Sequence, residues 1–160
     1  MLRPRADSRF SSKATSSRAD NPPAARQVEL LMEPDTKAEL IEVLNRFCGG
    51  FANRDADAVV RACAPDPELV VVTSEEALLR GADALREFLD RYVASSTTYS
   101  WEWDHHDVCI AGRCAWLLAE GTETARGDEE IETHRYRMTM VLTRGEGGWL
   151  IRQAHGSSPH

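Results

Sequence analysis

A glutamate late in the chain is one of the residues best suited to acid–base chemistry. Glu120 shares alternating positions with Trp116 and Leu118, so on a strand the three side chains would lie on one face. If that face lines a pocket, burial would raise the pKa of the carboxyl group toward the range of a general base. If it faces water, Glu120 is an ordinary solvated acid.

A histidine near the C-terminus is the second candidate. His155 alternates with Trp149, Ile151, Gln153 and Ser157, which predicts that all five lie on one face of a final strand. A histidine there can act as a base or hydrogen-bond donor, with Ser157 orienting a ligand oxygen. The alternative is a histidine that packs in the core or an interface. No G-x-S-x-G motif marks a serine nucleophile.

An arginine in the middle of a predicted strand is the third candidate. Arg137 pointing inward would bind a carboxylate or enolate oxygen with its guanidinium fork. Pointing outward, it would pair across the sheet with Glu120, Glu123 or Glu132. Alternation groups the residues into faces but does not tell which face is inside.

Several aromatic residues are the predicted ligand contacts. Trp101 and Trp103 share a face with Tyr99, and three aromatic rings at alternate positions can line a cavity for a flat ligand. Trp116 and Tyr136 are predicted as further contacts. The same rings could instead form a dimer surface or pack beneath a helix.

The segment Asp104-His105-His106-Asp107 and the four cysteines contain residue types that can bind a metal ion. Strand alternation predicts Asp104 and His106 on one face and the other two on the opposite face, so the four cannot converge on one ion. The segment can be a polar strand near a sheet edge or at the rim of a dimer. Alternatively, Asp104 and His106 form a pair that acts as a general base. The four cysteines never form C-x-x-C and predict buried thiols in a reducing compartment. No metal and no cofactor is expected.

Composition limits the classes of partner. The chain has 160 residues, 19 Lys+Arg, 26 Asp+Glu and a net charge of −7. This length suggests one domain, and the negative charge argues against nucleic acid. No apolar run of about 18 residues suggests a membrane span. We therefore expect a cytoplasmic protein with a small-molecule ligand.

The N-terminal segment differs in composition from the rest. Residues 1–32 begin with a stretch rich in Arg, Ser, Ala and Pro that has almost no large apolar side chains. Such a stretch buries too little apolar surface to offset the entropy of ordering. We predict a flexible tail over 1–32 and one folded domain over 33–160.

Periodicity predicts the elements that hold these residues. An apolar stripe from Leu40 to Phe51 predicts a first helix opening near Thr36, and a short helix over 57–63 follows. Two short strands over 68–73 and 77–80 precede a third helix over 82–93. Four long alternating segments then predict antiparallel strands over 98–110, 113–123, 132–144 and 148–155. Helices grouped on one side of an antiparallel sheet give an α+β fold.

The C-terminal part of the sequence resembles that of a known protein family. Gly147-Gly148-Trp149-Leu150-Ile151 opens a Trp-led final strand that ends in His155-Gly156-Ser157, following TYSWEWDHHDVCIAGRCAWLLAEGTETA. With the order of elements, this resembles the nuclear transport factor 2-like superfamily, in its SnoaL-like branch, over about residues 33–160. The resemblance implies a cone-shaped barrel in which a strongly curved antiparallel sheet packs around a long N-terminal helix, with an apolar pocket at the wide end.

The resemblance implies a pocket but no single reaction. The superfamily includes isomerases, dehydratases, cyclases and non-catalytic association domains. Phe47 and Phe51 stand where the ketosteroid isomerase branch has a tyrosine, and the last three strands lack the aspartates of the epoxide hydrolase branch. We expect a homodimer that binds an apolar, oxygen-bearing molecule. If the protein is an enzyme, we expect it to abstract a proton beside a carbonyl, with Glu120 or His155 as base and Arg137 as oxyanion stabiliser. The alternative is a non-catalytic ligand-binding or association domain.

Overall fold

The order of helices and strands predicted from periodicity is confirmed. The computed structural model describes residues 34–74 and 77–158, so the predicted tail lies outside the described residues. The helices are α1 (Pro34–Ala52), α2 (Ala56–Ala62) and α3 (Gly81–Ala94). The strands are β1 (Val70–Val72), β2 (Leu78–Arg80), β3 (Thr98–Ala111), β4 (Cys114–Arg126), β5 (Ile131–Gly145) and β6 (Gly148–Ser157).

Helix α1 packs along the sheet through one apolar stripe. Leu40, Val43, Leu44, Phe47 and Cys48 recur at helical spacing and are all buried. Burial of such side chains contributes roughly 1.5–3 kcal/mol each, so this stripe anchors the helix to the core. None of the described helices has the length and apolar character needed to cross a membrane.

The six strands form one curved sheet in the order β2-β1-β6-β5-β4-β3. The four long strands are antiparallel neighbours because short turns connect them. Strand β1 runs parallel to β6 and antiparallel to β2. This order brings the end of β6 beside β1, at the same end of the sheet as the start of β3 and the end of β4.

Alternation separates a concave face from a convex face. On β4 the side chains of Ala115, Leu117, Ala119 and Glu123 are buried on the concave face, toward the helices. On β5 the buried concave residues are Tyr136, Met138, Met140 and Leu142. The residues between them point to the convex face, which the described helices do not cover.

Two bulges interrupt this alternation. Trp103 pairs with Gly121 and His105 with Glu120, so Asp104 is an extra residue in β3. A Cβ on Gly121 would lie 2.0 Å from the backbone oxygen of Glu102, so only glycine permits this close approach of the two strands. A second bulge lies in β6 between Ile151 and Gln153.

Candidate functional site

A cavity of about 360 Å³ opens between the helices and one end of the sheet. Its volume suits a small organic molecule. Seven aromatic side chains line the cavity: Phe47, Phe51, Phe88, Tyr92, Tyr99, Trp101 and Tyr136. Its charged lining side chains, among the described residues, are Arg91 and Glu123.

Glu123 is a buried acid in the cavity wall. Only 4% of its surface is exposed, and it is the buried charged residue of the described core. Trp101 and His134 lie directly opposite it on the neighbouring strands. The Trp101 indole N–H donates to Oε2 at 2.9 Å, and His134 Nε2 lies 3.4 Å from Oε1. A carboxylate needs such partners because burial without hydrogen bonds is costly.

Tyr136 lies one step further along the same face. It pairs with Gly121, so its Cα is roughly 7–8 Å from that of Glu123, as for other diagonal neighbours. A Cβ on Gly156 would lie 1.9 Å from the Tyr136 hydroxyl oxygen, which shows that the phenol end occupies the space that glycine leaves. Burial, reinforced by the negative charge of Glu123, raises the pKa of Tyr136, so the phenol stays protonated near neutral pH.

A tyrosine joins three elements beside the cavity. The hydroxyl of Tyr92 in α3 donates to the backbone oxygen of Phe51 at 2.9 Å and accepts from the backbone N–H of Tyr99 at 3.1 Å. The C-terminal turn of α1, helix α3 and the start of β3 are therefore connected through one side chain. This connection fixes the aromatic walls relative to one another.

An arginine just after α1 binds the backbone at the end of α3. Arg54 has a φ of 55° and its guanidinium donates to the backbone oxygens of Val93 and Ser95 at 2.8 and 2.6 Å. A weaker bond at 3.4 Å reaches Thr97. These carbonyls belong to the last turn of α3 and to the residues just after it, where an arginine complements the negative end of the helix dipole.

The predicted base Glu120 and the predicted arginine Arg137 point away from the cavity. They lie directly opposite each other on the convex face, with Arg137 Nε 2.8 Å from Glu120 Oε1. The outward pairing that alternation left open is therefore the arrangement found. Both side chains are substantially exposed, and neither lines the cavity.

His155 and Ser157 also point to the convex face. The prediction that His155 shares a face with Trp149 and Ile151 is wrong, because the bulge at Arg152 shifts the alternation by one residue. Ile151 is buried, whereas His155 is exposed. Ser157 lies directly opposite Arg137. The structure thus brings the predicted polar residues together, but not at the cavity.

The predicted aromatic contacts divide between the two faces. Trp101 and Tyr136 line the cavity. Trp103 packs against the core with its ring centroid 6.4 Å from that of Tyr136, just outside the lining. Trp116 lies on the convex face, where 48% of its surface is exposed.

The polar segment of β3 holds no metal-binding arrangement. The bulge puts Asp104 on the convex face, where it contacts Arg135, so the predicted sharing of a face by Asp104 and His106 is wrong. His105 pairs with Asp107. Within 34–74 and 77–158, no three acidic, histidine or cysteine side chains are grouped as metal ligands.

The cysteines are chemically quiet where they are buried. All four are free; Cys48 and Cys63 are buried, while Cys109 is partly and Cys114 largely exposed. Burial raises the pKa of Cys48, with a further contribution from Glu123, and raises the pKa of Cys63 to about 12. Neither buried thiol is therefore a thiolate near neutral pH.

Sequence reasoning missed Glu123 and Arg91 as site residues. Sequence alone predicts Glu123 only as a possible partner for Arg137. The signal was present, because Glu123 alternates with Leu117, Ala119 and Gly121, a face of small and apolar side chains typical of the concave side of a curved sheet. Arg91 carried no such signal, since a basic residue in the last turn of a helix is usually explained by the helix dipole.

Comparison with known families and structures agrees with this geometry. The family model described as SnoaL-like domain matches residues 40–160. No curated protein matches the chain.

Solved structures share the fold at low sequence identity. A nuclear transport factor 2-like superfamily protein from Salmonella enterica serovar Typhimurium is 20% identical, covering 79% of this chain and 92% of its own, with a TM-score of 0.70. A protein from Streptomyces avermitilis, provisionally named a dehydratase of the same family, is 15% identical, with a TM-score of 0.71. The match covers 80% of this chain and 99% of that protein. A protein from Novosphingobium aromaticivorans, provisionally named an aromatic ring hydroxylase, is 16% identical, with a TM-score of 0.73. The match covers 81% of this chain and 92% of that protein.

Proposed function

The chain belongs to the SnoaL-like domain family, and from that premise we propose that it is a small-molecule enzyme that moves a proton beside a carbonyl group. The observation that carries this proposal is Glu123, a buried carboxylate in the wall of an aromatic cavity. The fold alone selects no reaction, because it serves many unrelated functions. The names given to the dehydratase and ring hydroxylase of similar fold are compatible with an organic ligand.

Glu123 supports the role of general base. A carboxylate has two oxygens with about four lone-pair sites, so it can accept from Trp101 and still approach a ligand proton. The Trp101 N–H and the His134 ring fix the orientation of the carboxylate. Orientation matters because proton transfer requires hydrogen-bond geometry to the ligand.

Tyr136 supports the role of oxyanion donor. Tyr136 lines the cavity beside Glu123, and its phenol is protonated near neutral pH, so the hydroxyl can donate to an oxygen on which charge develops. The step is then balanced within the site: Glu123 takes the proton from the carbon next to the carbonyl, and the C–H electron pair forms the enolate. Tyr136 donates a hydrogen bond to the enolate oxygen. The protonated Glu123 then returns the proton: delivery to another carbon isomerises the ligand, whereas delivery to a departing β-hydroxide releases water and dehydrates it.

Deuterium exchange into an aryl ketone tests this proposal. Propiophenone in D₂O reports proton abstraction by the loss of its α-proton NMR signal. We expect Glu123→Gln to lower the protein-dependent exchange rate by roughly 10²–10⁴, the usual contribution of a general base. Glu120→Gln is the matched control on the convex face. Exchange that is unaffected by Glu123→Gln, or lost in Glu120→Gln, would overturn the assignment.

We also propose that the convex face forms a homodimer interface and that the protein works in the cytoplasm. Trp116 exposes 48% of its surface there, beside the partly buried Leu118 and Val141. An exposed apolar patch on a sheet is typical of an association surface. The four free cysteines fit a reducing compartment.

A further inference from the structure

The rim of the cavity carries a cationic side chain with no partner in the described chain. Arg91 lies in the last turn of α3 and is one of the lining residues. It is exposed, whereas Glu123 on the sheet is buried. The guanidinium of Arg91 makes no hydrogen bond or ion pair with residues 34–74 or 77–158, although other arginines of the chain do.

The usual structural role for a basic residue at this position is already filled. An arginine in the last turn of a helix normally complements the terminal carbonyls. Here Arg54 donates to the backbone oxygens of Val93, Ser95 and Thr97. Arg86, on the same helix, pairs with Asp57 at 2.7 Å and does not line the cavity. Arg91 is therefore not needed to stabilise the helix end.

The two charged lining residues give the cavity two chemically different ends. The buried end has Glu123, whose negative charge contributes to the raised pKa values of Tyr92 and Tyr136 after the larger effect of burial. A ligand anion is repelled at that end. The exposed end has Arg91, which presents a planar fork of donors that matches a carboxylate. Aromatic side chains line the same cavity.

We propose that the ligand is an amphipathic molecule whose carbonyl end enters the cavity and whose other end carries a carboxylate that binds Arg91. This inference rests on the proposed function, because it assumes that the reacting carbonyl lies near Glu123. It names the substrate class: an aromatic or alicyclic keto acid with its acid group remote from the ketone. Arg91 is a specificity-determining residue, and it takes no part in proton transfer.

Binding of two matched ligands tests the proposal. δ-Benzoylvalerate and its methyl ester share the aryl ketone and differ in the charge of the remote end. Binding is followed by calorimetry at low ionic strength. We expect the native chain to bind the carboxylate about tenfold more tightly than the ester, as charge-assisted hydrogen bonds allow. Added salt should reduce that ratio, because Arg91 is exposed.

Variants on one helix provide the control. Arg91→Gln should abolish the preference for the carboxylate over the ester, whereas Arg86→Gln should keep that preference. Equal affinity of the native chain for both compounds, or a preference that persists in Arg91→Gln, would overturn the role of Arg91. If the ester also undergoes α-proton exchange that depends on Glu123, the proposed function survives that failure. If neither compound binds, both proposals fail.

Discussion

The indole N–H of Trp101 donates a hydrogen bond to Oε2 of Glu123 across two neighbouring strands, at 2.9 Å. The two residues lie directly opposite each other on the concave face. This pair gives a buried carboxylate a fixed orientation at the wall of an aromatic cavity. It also makes Trp101 both a wall of the cavity and a support for its acid.

Removing the Trp101 donor should destabilise the fold. Trp101→Phe retains an aromatic ring but leaves the Glu123 carboxylate with one hydrogen bond fewer. We expect the free energy of unfolding to fall by about 1.5–3 kcal/mol, the range for hydrogen bonds to charged groups. Urea denaturation measures it. Trp103→Phe is the control, because the Trp103 indole has no such acceptor in the described chain; equal losses in both variants would contradict the role of the hydrogen bond.

Filling the space at Gly156 should displace the Tyr136 hydroxyl. In Gly156→Ala the new Cβ would lie 1.9 Å from the hydroxyl oxygen. We expect a loss of about 1–3 kcal/mol, the usual cost of overpacking. Adding Tyr136→Phe should restore part of this loss, because the closest atom is then absent. In Gly121→Ala the new Cβ would instead clash with the backbone of Glu102, so Tyr136→Phe should not restore the stability of that variant. If the stability losses of Gly156→Ala and Tyr136→Phe simply add in the double variant, the described packing of Tyr136 against Gly156 is contradicted.

Protonation of His106 should reduce stability in mild acid. Its Nε2 is buried without a hydrogen-bond partner in the described chain, and burial lowers its pKa, with smaller effects from Lys37 and His105. Because the folded-state pKa lies below the unfolded value of about 6.5, the unfolded chain binds more protons below that pH. The free energy of unfolding should therefore decrease as the pH is lowered below about 6.5.

His106→Gln isolates this effect. The variant should show a smaller decrease in unfolding free energy between neutral pH and mild acid than the native chain, measured by urea denaturation at each pH. His155→Gln is the control, since His155 is exposed on the convex face and is not among the groups that lower the pKa of His106. Identical pH dependence in the native chain and in His106→Gln would exclude His106 as the source.

An exposed tryptophan provides the test of dimerisation. If the convex face joins two copies, Trp116→Glu should convert a dimer into a monomer with an unchanged circular dichroism spectrum, because the side chain is not part of the core. Sedimentation at micromolar concentration measures the mass. A native chain that sediments as a strict monomer would contradict the interface.

Element order and length were predictable because periodicity is a local property. The apolar stripe of α1 and the alternation of β3–β6 follow directly from residue spacing, and short turns imply antiparallel neighbours. Resemblance to the family added the curvature of the sheet and the pocket at its wide end. These features depend on many residues and tolerate individual errors.

The site was less predictable because each face assignment depends on single residues. One extra residue at Arg152 moved His155 to the opposite face from Ile151. The bulge at Asp104 had a signal, since glycine in a strand interior, here Gly121, often marks such a distortion. The bulge in β6 had none. Without knowing which face was concave, Glu120 and Glu123 could not be ranked.

The four tryptophans offer the most direct test of where a ligand binds. Trp101 lines the cavity, Trp116 lies on the convex face, and Trp149 lies at the start of β6, outside the cavity lining. Each indole N–H gives a separate signal in a ¹⁵N-correlated NMR spectrum, assigned by single Trp→Phe variants. On titration with the methyl ester of δ-benzoylvalerate, we expect the Trp101 signal to move while those of Trp116 and Trp149 remain in place. Movement of the Trp116 signal with a stationary Trp101 signal would contradict a binding site around Glu123.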